Sequence, residues 1–462
     1  VPLELRHKLH EKQNFKRMSN LKIGFVSIVR STFDVALATE VTARARVTLT
    51  SAGFDLRVVD EPISDLVNVD TALSYLRGEV LDLLVIFQAT FADSSLVLKL
   101  AECVNAPILC WAVPEARTGG RLRLNSLCGI NLASHALSQH GIPFEYVYAC
   151  ADDARAVEQI ATAANAGRVK QKLARTTLGV IGEHPAGFDP CRLDAPQLAR
   201  ALGVSVQRFE LSSVFDRARI IQPDHTNAAR AQLAAKIDNL DTLDQTPLTR
   251  TLNVYNALKE ICHEQAIGAF AIRCWPEFFT ELGCAACGAM SLLNTEMTPC
   301  GCEADANGTM TQLILQELSG EPAFGADMVE FNRADDSAVL WHCGQAPLTM
   351  ADVSVQGGIH SNRKLPLVME FALKAGRVTL ARLNRMPNGA LRLAIGRGEI
   401  LRAPKSFSGT SGVVRFDKPA MDVLDTILRE GLEHHVAMAY GDHMASLVVL
   451  ARMLKLPVLM LT

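Results

Sequence analysis

Three short segments of this chain place ionisable residues where one element of structure gives way to another. The first, CEADANGTMTQLILQEL, carries Glu303 and Asp305 just ahead of apolar positions Met310, Leu313, Ile314, Leu315 and Leu318 at helical spacing. Carboxylates at a helix start are favoured by the unpaired amides there, so capping and metal-site support stand as equal readings for Asp305. The second, FGADMVEFNRADDSAVLWHCG, holds Asp327 at the start of a strand-like region and His342 between Trp341 and Cys343. Taken alone, Asp327 reads as a turn residue and His342 as a satisfied core histidine. The third, LEHHVAMAYGDHMASLVVL, concentrates His434, His435 and His443 among apolar neighbours, three of the chain's 12 histidines. Imidazoles in such surroundings need partners.

One neutral imidazole and two carboxylates, with positions left open for water or substrate oxygens, suit a divalent ion such as manganese or magnesium. The chemistry that wants such a site is enediolate chemistry. A cation chelates a carbonyl and the adjacent hydroxyl, and two flanking carboxyl groups remove a carbon-bound proton and return it to the neighbouring carbon.

Elements able to hold these residues follow from the hydrophobic pattern. From Leu21 onward, apolar β-branched runs (21–29, 55–59, 81–87, 106–113, 144–149) alternate with amphipathic stretches (36–52, 70–78, 92–104, 125–141), which is the signature of a parallel sheet covered on both faces. The helical segment 152–174 closes this unit, and TTLGVIGE (176–183) starts a second α/β unit. After about residue 327 short strands separated by turn residues take over, with little helix until 442–454. The expected fold is therefore α/β: two Rossmann-like parallel-sheet domains, 21–174 and 175–326, followed by a β-rich, barrel-like C-terminal domain, 327–462. Residues 1–20 read as a tail. No Gly-x-Gly-x-x-Gly or phosphate loop opens a helix in either unit, so dinucleotide binding is not expected.

Composition narrows the partners. A formal net charge of -3, from 46 basic and 49 acidic residues, offers no field for nucleic acid or anionic lipid. The chain lacks both a run of about 18 apolar residues and a secretory signal pattern, and a cytoplasmic location without membrane contact is expected. The series Cys284, Cys287, Cys300 and Cys302 has spacing that can close a zinc site, but the small-residue run around it favours buried thiols.

Read together, CEADANGTMTQLIL, the aspartate 24 positions after Glu303, AGRVTLARL (375–383) and HHVAMAYGDHMASLVVLARMLKLPV resemble the L-fucose isomerase and L-arabinose isomerase family. The resemblance implies a metal held by Glu303, Asp327 and His435, with manganese or another divalent cation such as magnesium or cobalt. It further implies that Glu303 and Asp327 act as the acid/base pair of an aldose–ketose isomerisation through a cis-enediol, on a small sugar. A homohexamer, with the first domain of a neighbouring subunit closing the site, is implied as well. Trp275, His342, His360 and His443 are candidate substrate-binding residues. Two departures stand out: the chain is shorter than typical fucose isomerases, and His434 stands where asparagine is expected. The alternatives are a metal-dependent aldol or decarboxylation enzyme using the same enediolate site, and a non-catalytic sugar sensor.

Overall fold

The computed structural model describes residues 21–462, so the tail at 1–20 lies outside it. Two compact units emerge: residues up to Gln171 with Ala445–Lys455, and Lys172–Met444 with Leu456–Thr462.

The first unit is a five-stranded parallel sheet of β1 (Lys22–Ile28), β2 (Asp55–Val58), β3 (Leu83–Gln88), β4 (Ile108–Ala112) and β5 (Phe144–Tyr148), in the order β2-β1-β3-β4-β5. Helices α1 (Val35–Ser51), α2 (Leu66–Leu76), α3 (Ser95–Cys103), α4 (Ser126–Gln139) and α5 (Ala154–Leu173) connect and close it. Strands β3 and β4 are buried at every position, as their unbroken apolar runs require.

The second unit opens with a smaller parallel sheet, β6 (Thr177–Ile181), β7 (Ser205–Phe209), β8 (Ile267–Ile272) and β9 (Cys300–Gly301), in the order β7-β6-β8-β9. Its helices are α6 (Ala195–Leu202), α7 (Leu211–Arg219), α8 (Pro223–Ala234), α9 (Gln245–Gln265), α10 (Cys287–Thr295) and α11 (Ala306–Ser319). The β-rich part follows as β10 (Phe324–Asn332), β11 (Ser337–His342), β12 (Gln356–Gly358), β13 (Val368–Ala372), β14 (Gly376–Arg385), β15 (Leu391–Leu401), β16 (Thr410–Phe416), β17 (His435–Tyr440) and β18 (Val458–Met460). Strands β16, β11, β10, β17, β14 and β15 pair antiparallel in that order, and β15 pairs back onto β16. This closes a six-stranded barrel, and closure removes the edges that an open sheet would expose. The expected fold class is borne out.

One element departs from the sequence reading. The segment taken as β-rich with little helix holds α12 (Ala420–Arg429), whose Ala420 and Val423 are buried while Leu428 stays exposed. A ten-residue amphipathic helix between turn residues gives too short a periodic signal to stand out. The final helix, α13 (Met444–Met453), lies almost wholly in the stretch that joins the first unit, where Arg452 forms a bidentate pair with Glu145 on β5. Among the described residues no helix is long and apolar enough to cross a membrane.

Candidate functional site

The carboxyl ends of β6, β8 and β9 converge on one point of the second unit. That is where open parallel sheets commonly place ligands, because the strand ends leave a crevice between loops. Glu303 follows β9, Trp275 follows β8, and Cys191 lies on the loop after β6. The indole N–H of Trp275 donates to Glu303 Oε1 at 3.1 Å, and Cys191 Sγ lies 3.8 Å from Glu303 Oε2. Backbone strain aims the glutamate: Glu303 and Ala304 both sit in the left-handed region, at φ 60° and 57°. Such conformations cost about 1–3 kcal/mol each and persist where the surroundings enforce them.

The barrel supplies the other wall. Asp327 on β10 is paired in register with His435, the first residue of β17, so their side chains share one face of the sheet. His435 Nε2 stands 3.6 Å from Asp327 Oδ1 and 3.9 Å from Glu303 Oε2. Its other nitrogen, Nδ1, donates to Asp305 Oδ2 at 2.9 Å. A carboxylate only accepts, so this bond fixes the proton on Nδ1 and turns the Nε2 lone pair towards Glu303 and Asp327.

Asp305 thus answers the question its position posed, because it does two jobs. It caps α11 through Gly308 N at 2.9 Å and orients His435 from behind. Arg382 on β14 holds it in place with contacts of 2.5 and 3.2 Å, and Glu433 in turn receives Arg382 Nε at 3.3 Å. Asp305 and Arg382 are both 2% exposed. Burial pushes the Asp305 carboxyl up, but Arg382 and the His435 hydrogen bond prevail and hold it well below the usual carboxylate range. The glycine of the Glu-Ala-Asp-Ala-Asn-Gly motif makes room for this pair: a Cβ on Gly308 would stand 2.3 Å from Asp305 Oδ2 and 2.8 Å from Arg382 Nη1.

Glu303 is also kept ionised. Burial opposes the charge, yet the His434 hydrogen bond (Nε2 to Oε2, 3.0 Å), the nearby His435 and the Trp275 N–H together lower its pKa. Asp327 Oδ1 is buried without a hydrogen-bond partner, which a native structure tolerates at a cost of about 1–3 kcal/mol unless something binds there. The orphan oxygen, the His435 lone pair and Glu303 Oε2 suit a divalent cation of oxygen and imidazole preference. A second grouping, Cys191, Glu303, His434 and His435, has ligand atoms within 4.8 Å of one another. Burial, followed by the charges of Asp305 and Glu303, pushes the Cys191 thiol far up.

Of the remaining predicted residues, Trp275 lies against Glu303 and His342 stacks on His435 with ring centroids 5.9 Å apart. His360 packs edge-on against Phe279 at 5.1 Å, and burial, helped by His342 and Arg363, pushes its pKa down to about 4. His443 is not brought to this cluster. It lies past the other end of β17, where its Nε2 contacts Tyr440 O at 2.9 Å and its backbone N–H donates to Thr379 Oγ1. The four cysteines of the series are buried free thiols, and burial pushes Cys284 up to about 12. Cys287 meets Cys343 instead, Sγ to Sγ 3.5 Å.

Sequence reasoning missed Cys191 and Phe188, whose ring lies 5.2 Å from that of Trp275 and 6.0 Å from that of His434. It also missed Arg382 and Arg363. Nothing in the order of residues ties the loop after β6 to a motif more than a hundred residues away. Arg382 falls inside the AGRVTLARL stretch, and its charge in an apolar strand was the available signal.

Comparison with known proteins gives the family. Residues 24–174 match the fucose/sulfoquinovose isomerase N-terminal domain, and 368–462 match the L-fucose isomerase C-terminal domain. The chain is 32% identical over 443 residues to a sulfoquinovose isomerase of Priestia megaterium, covering 95% of this chain and 99% of that protein. It is 34% identical over 380 residues to one of Alkalicoccus urumqiensis, covering 82% and 85%, and 30% identical over 444 residues to one of Clostridium sp., covering 95% and 99%. With both terminal domains matched and the likeness running nearly end to end, the chain belongs to the fucose/sulfoquinovose isomerase family and is an aldose–ketose isomerase acting on a sugar.

Proposed function

We propose that the protein interconverts sulfoquinovose, a hexose bearing a sulfonate at C6, with its ketose, using a divalent cation held by Glu303, Asp327 and His435. The observation that carries this reading is the orphaned Asp327 Oδ1 facing the His435 Nε2 lone pair, with Glu303 Oε2 beside them. The substrate name comes from the relatives, and the donor set favours manganese, with magnesium or cobalt as substitutes. When bound, such a cation would polarise the sugar carbonyl and offset charge developing on the two neighbouring oxygens.

The chain's own residues do the rest. Glu303 and Asp327 flank the reacting carbons, and one takes the proton from C2 while the other supplies one to C1, through a cis-enediol. Glu303 is suited to the base role because His434 and Trp275 hold it as the carboxylate. Asp305 and Arg382 keep the His435 ring from turning. The resemblance adds a homohexamer, which a mass measurement in solution tests.

The decisive experiment is incubation with sulfoquinovose and manganese in deuterated water. Deuterium at C1 of the ketose, with the carbon chain intact, is the expected result. Cleavage into two fragments would establish the aldol alternative, and metal-independent binding without turnover would establish the sensor.

A further inference from the structure

Arg363, on the loop between β12 and β13, is exposed, and its guanidinium carbon lies 5.1 Å over the ring of Trp275 and 6.0 Å from that of Phe279. The same indole donates its N–H to Glu303 Oε1. One tryptophan therefore separates a candidate metal carboxylate from a cation, and it fixes the spacing between them. Two other arginines near this cluster are already paired. Arg273 is bound twice by Glu277, and Arg382 is bound by Asp305 and Glu433. Among the described residues no carboxylate pairs with Arg363, and only aromatic faces hold it.

A guanidinium seated on aromatic rings keeps its N–H edge free, and that edge matches the oxygens of a sulfonate, phosphate or carboxylate in a two-point fork. An uncharged sugar offers such a cation hydroxyl oxygens but no charge to pair with it. His360, beside Phe279, is kept neutral by its buried setting and so adds hydrogen bonding without charge.

We propose that Arg363, seated on Trp275 and Phe279, is a specificity residue that receives the anionic group at the far end of the sugar from its reacting carbons, a sulfonate at C6. The proposal rests on the isomerase reading, with the reacting end at Glu303 and Asp327. Trp275 sets the distance between the two ends, so chain length and terminal charge are selected together.

The test is steady-state kinetics of the manganese-loaded protein and of Arg363→Met and Arg363→Lys, with sulfoquinovose, 6-deoxyglucose, glucose 6-phosphate and glucuronate. Where a sugar turns over too slowly, its inhibition constant against sulfoquinovose gives the same comparison. Arg363→Met should raise KM for sulfoquinovose roughly 10- to 100-fold, leave kcat within about threefold, and leave the 6-deoxyglucose constant unchanged. Arg363→Lys should recover part of the loss, since a lysine restores charge without the fork. An equal loss for charged and uncharged sugars, or no loss, overturns the proposal, and a wild-type preference for the phosphate or the carboxylate overturns the sulfonate assignment. The isomerase reading fails separately, if the wild-type protein exchanges no carbon-bound proton of any of these sugars with solvent deuterium.

Discussion

The two ends of β17 carry histidines from one histidine-rich stretch, buried to nearly the same degree, His435 at 6% and His443 at 8% exposed. Their partners set them apart. At one end His435 meets three carboxylates: Asp305 accepts the hydrogen bond from its Nδ1–H, and Asp327 and Glu303 face its Nε2. At the other end His443 contacts the carbonyl of its own turn, and Thr379 ties that turn to β14. A buried imidazole bonded to a backbone carbonyl finishes a fold, whereas one held from behind by a carboxylate presents a lone pair. The concentration of histidines marked the strand and did not say which end would work.

Substitutions test that contrast in descending order of effect. Glu303→Gln and Asp327→Asn should each reduce turnover about 10²- to 10⁴-fold, with the thermal midpoint close to wild type for Asp327→Asn and somewhat lower for Glu303→Gln, whose charge His434 and Trp275 hold. Turnover and bound manganese are measured together, and retained activity in either variant would remove that residue from the acid/base pair. Asp305→Asn should lower metal affinity about 10- to 100-fold, because the amide no longer fixes the His435 tautomer. It also leaves Arg382 without its carboxylate, a change expected to cost about 3–5 kcal/mol in urea denaturation.

Gly308→Ala should cost about 1–3 kcal/mol and weaken metal binding in parallel, since its Cβ meets both Asp305 and Arg382. If stability fell with metal affinity unchanged, the Asp305 network would be structural only. His443→Gln should leave turnover within about twofold while costing about 1 kcal/mol or more of stability, as the Nε2 contact with Tyr440 O is lost. A large loss of turnover there would erase the difference between the two ends of the strand. The smallest effect is expected from Ala304→Gly, which relieves a left-handed φ and should add about 0.4–1 kcal/mol while loosening Glu303.

Much of the architecture was legible because periodicity reports burial. The unbroken apolar runs of β3 and β4 announce a covered parallel sheet, and the switch to short strands with turns announces the barrel. Helix α12 was hidden because ten residues carry too little period. At the site, Glu303 and Asp305 were visible as carboxylates before a helix, but the two readings of Asp305 remained equal, since capping and histidine orientation leave the same mark in sequence. Cys191, Phe188, Arg382 and Arg363 could not be joined to the site, because nothing local links them to Glu303.

The sequence by itself determined the element types and the short-range geometry: which runs are strands, where α11 starts, and that a glutamate and an aspartate precede it. Those depend on interactions within a few residues, which chain order encodes directly. Only the tertiary structure decided that Asp327 and His435 stand opposite each other, that Arg382 closes behind Asp305, and that Arg363 lies over Trp275. These pairings depend on barrel register and on the convergence of loops far apart in the chain. Packing of the whole domain settles such contacts, and no local preference does.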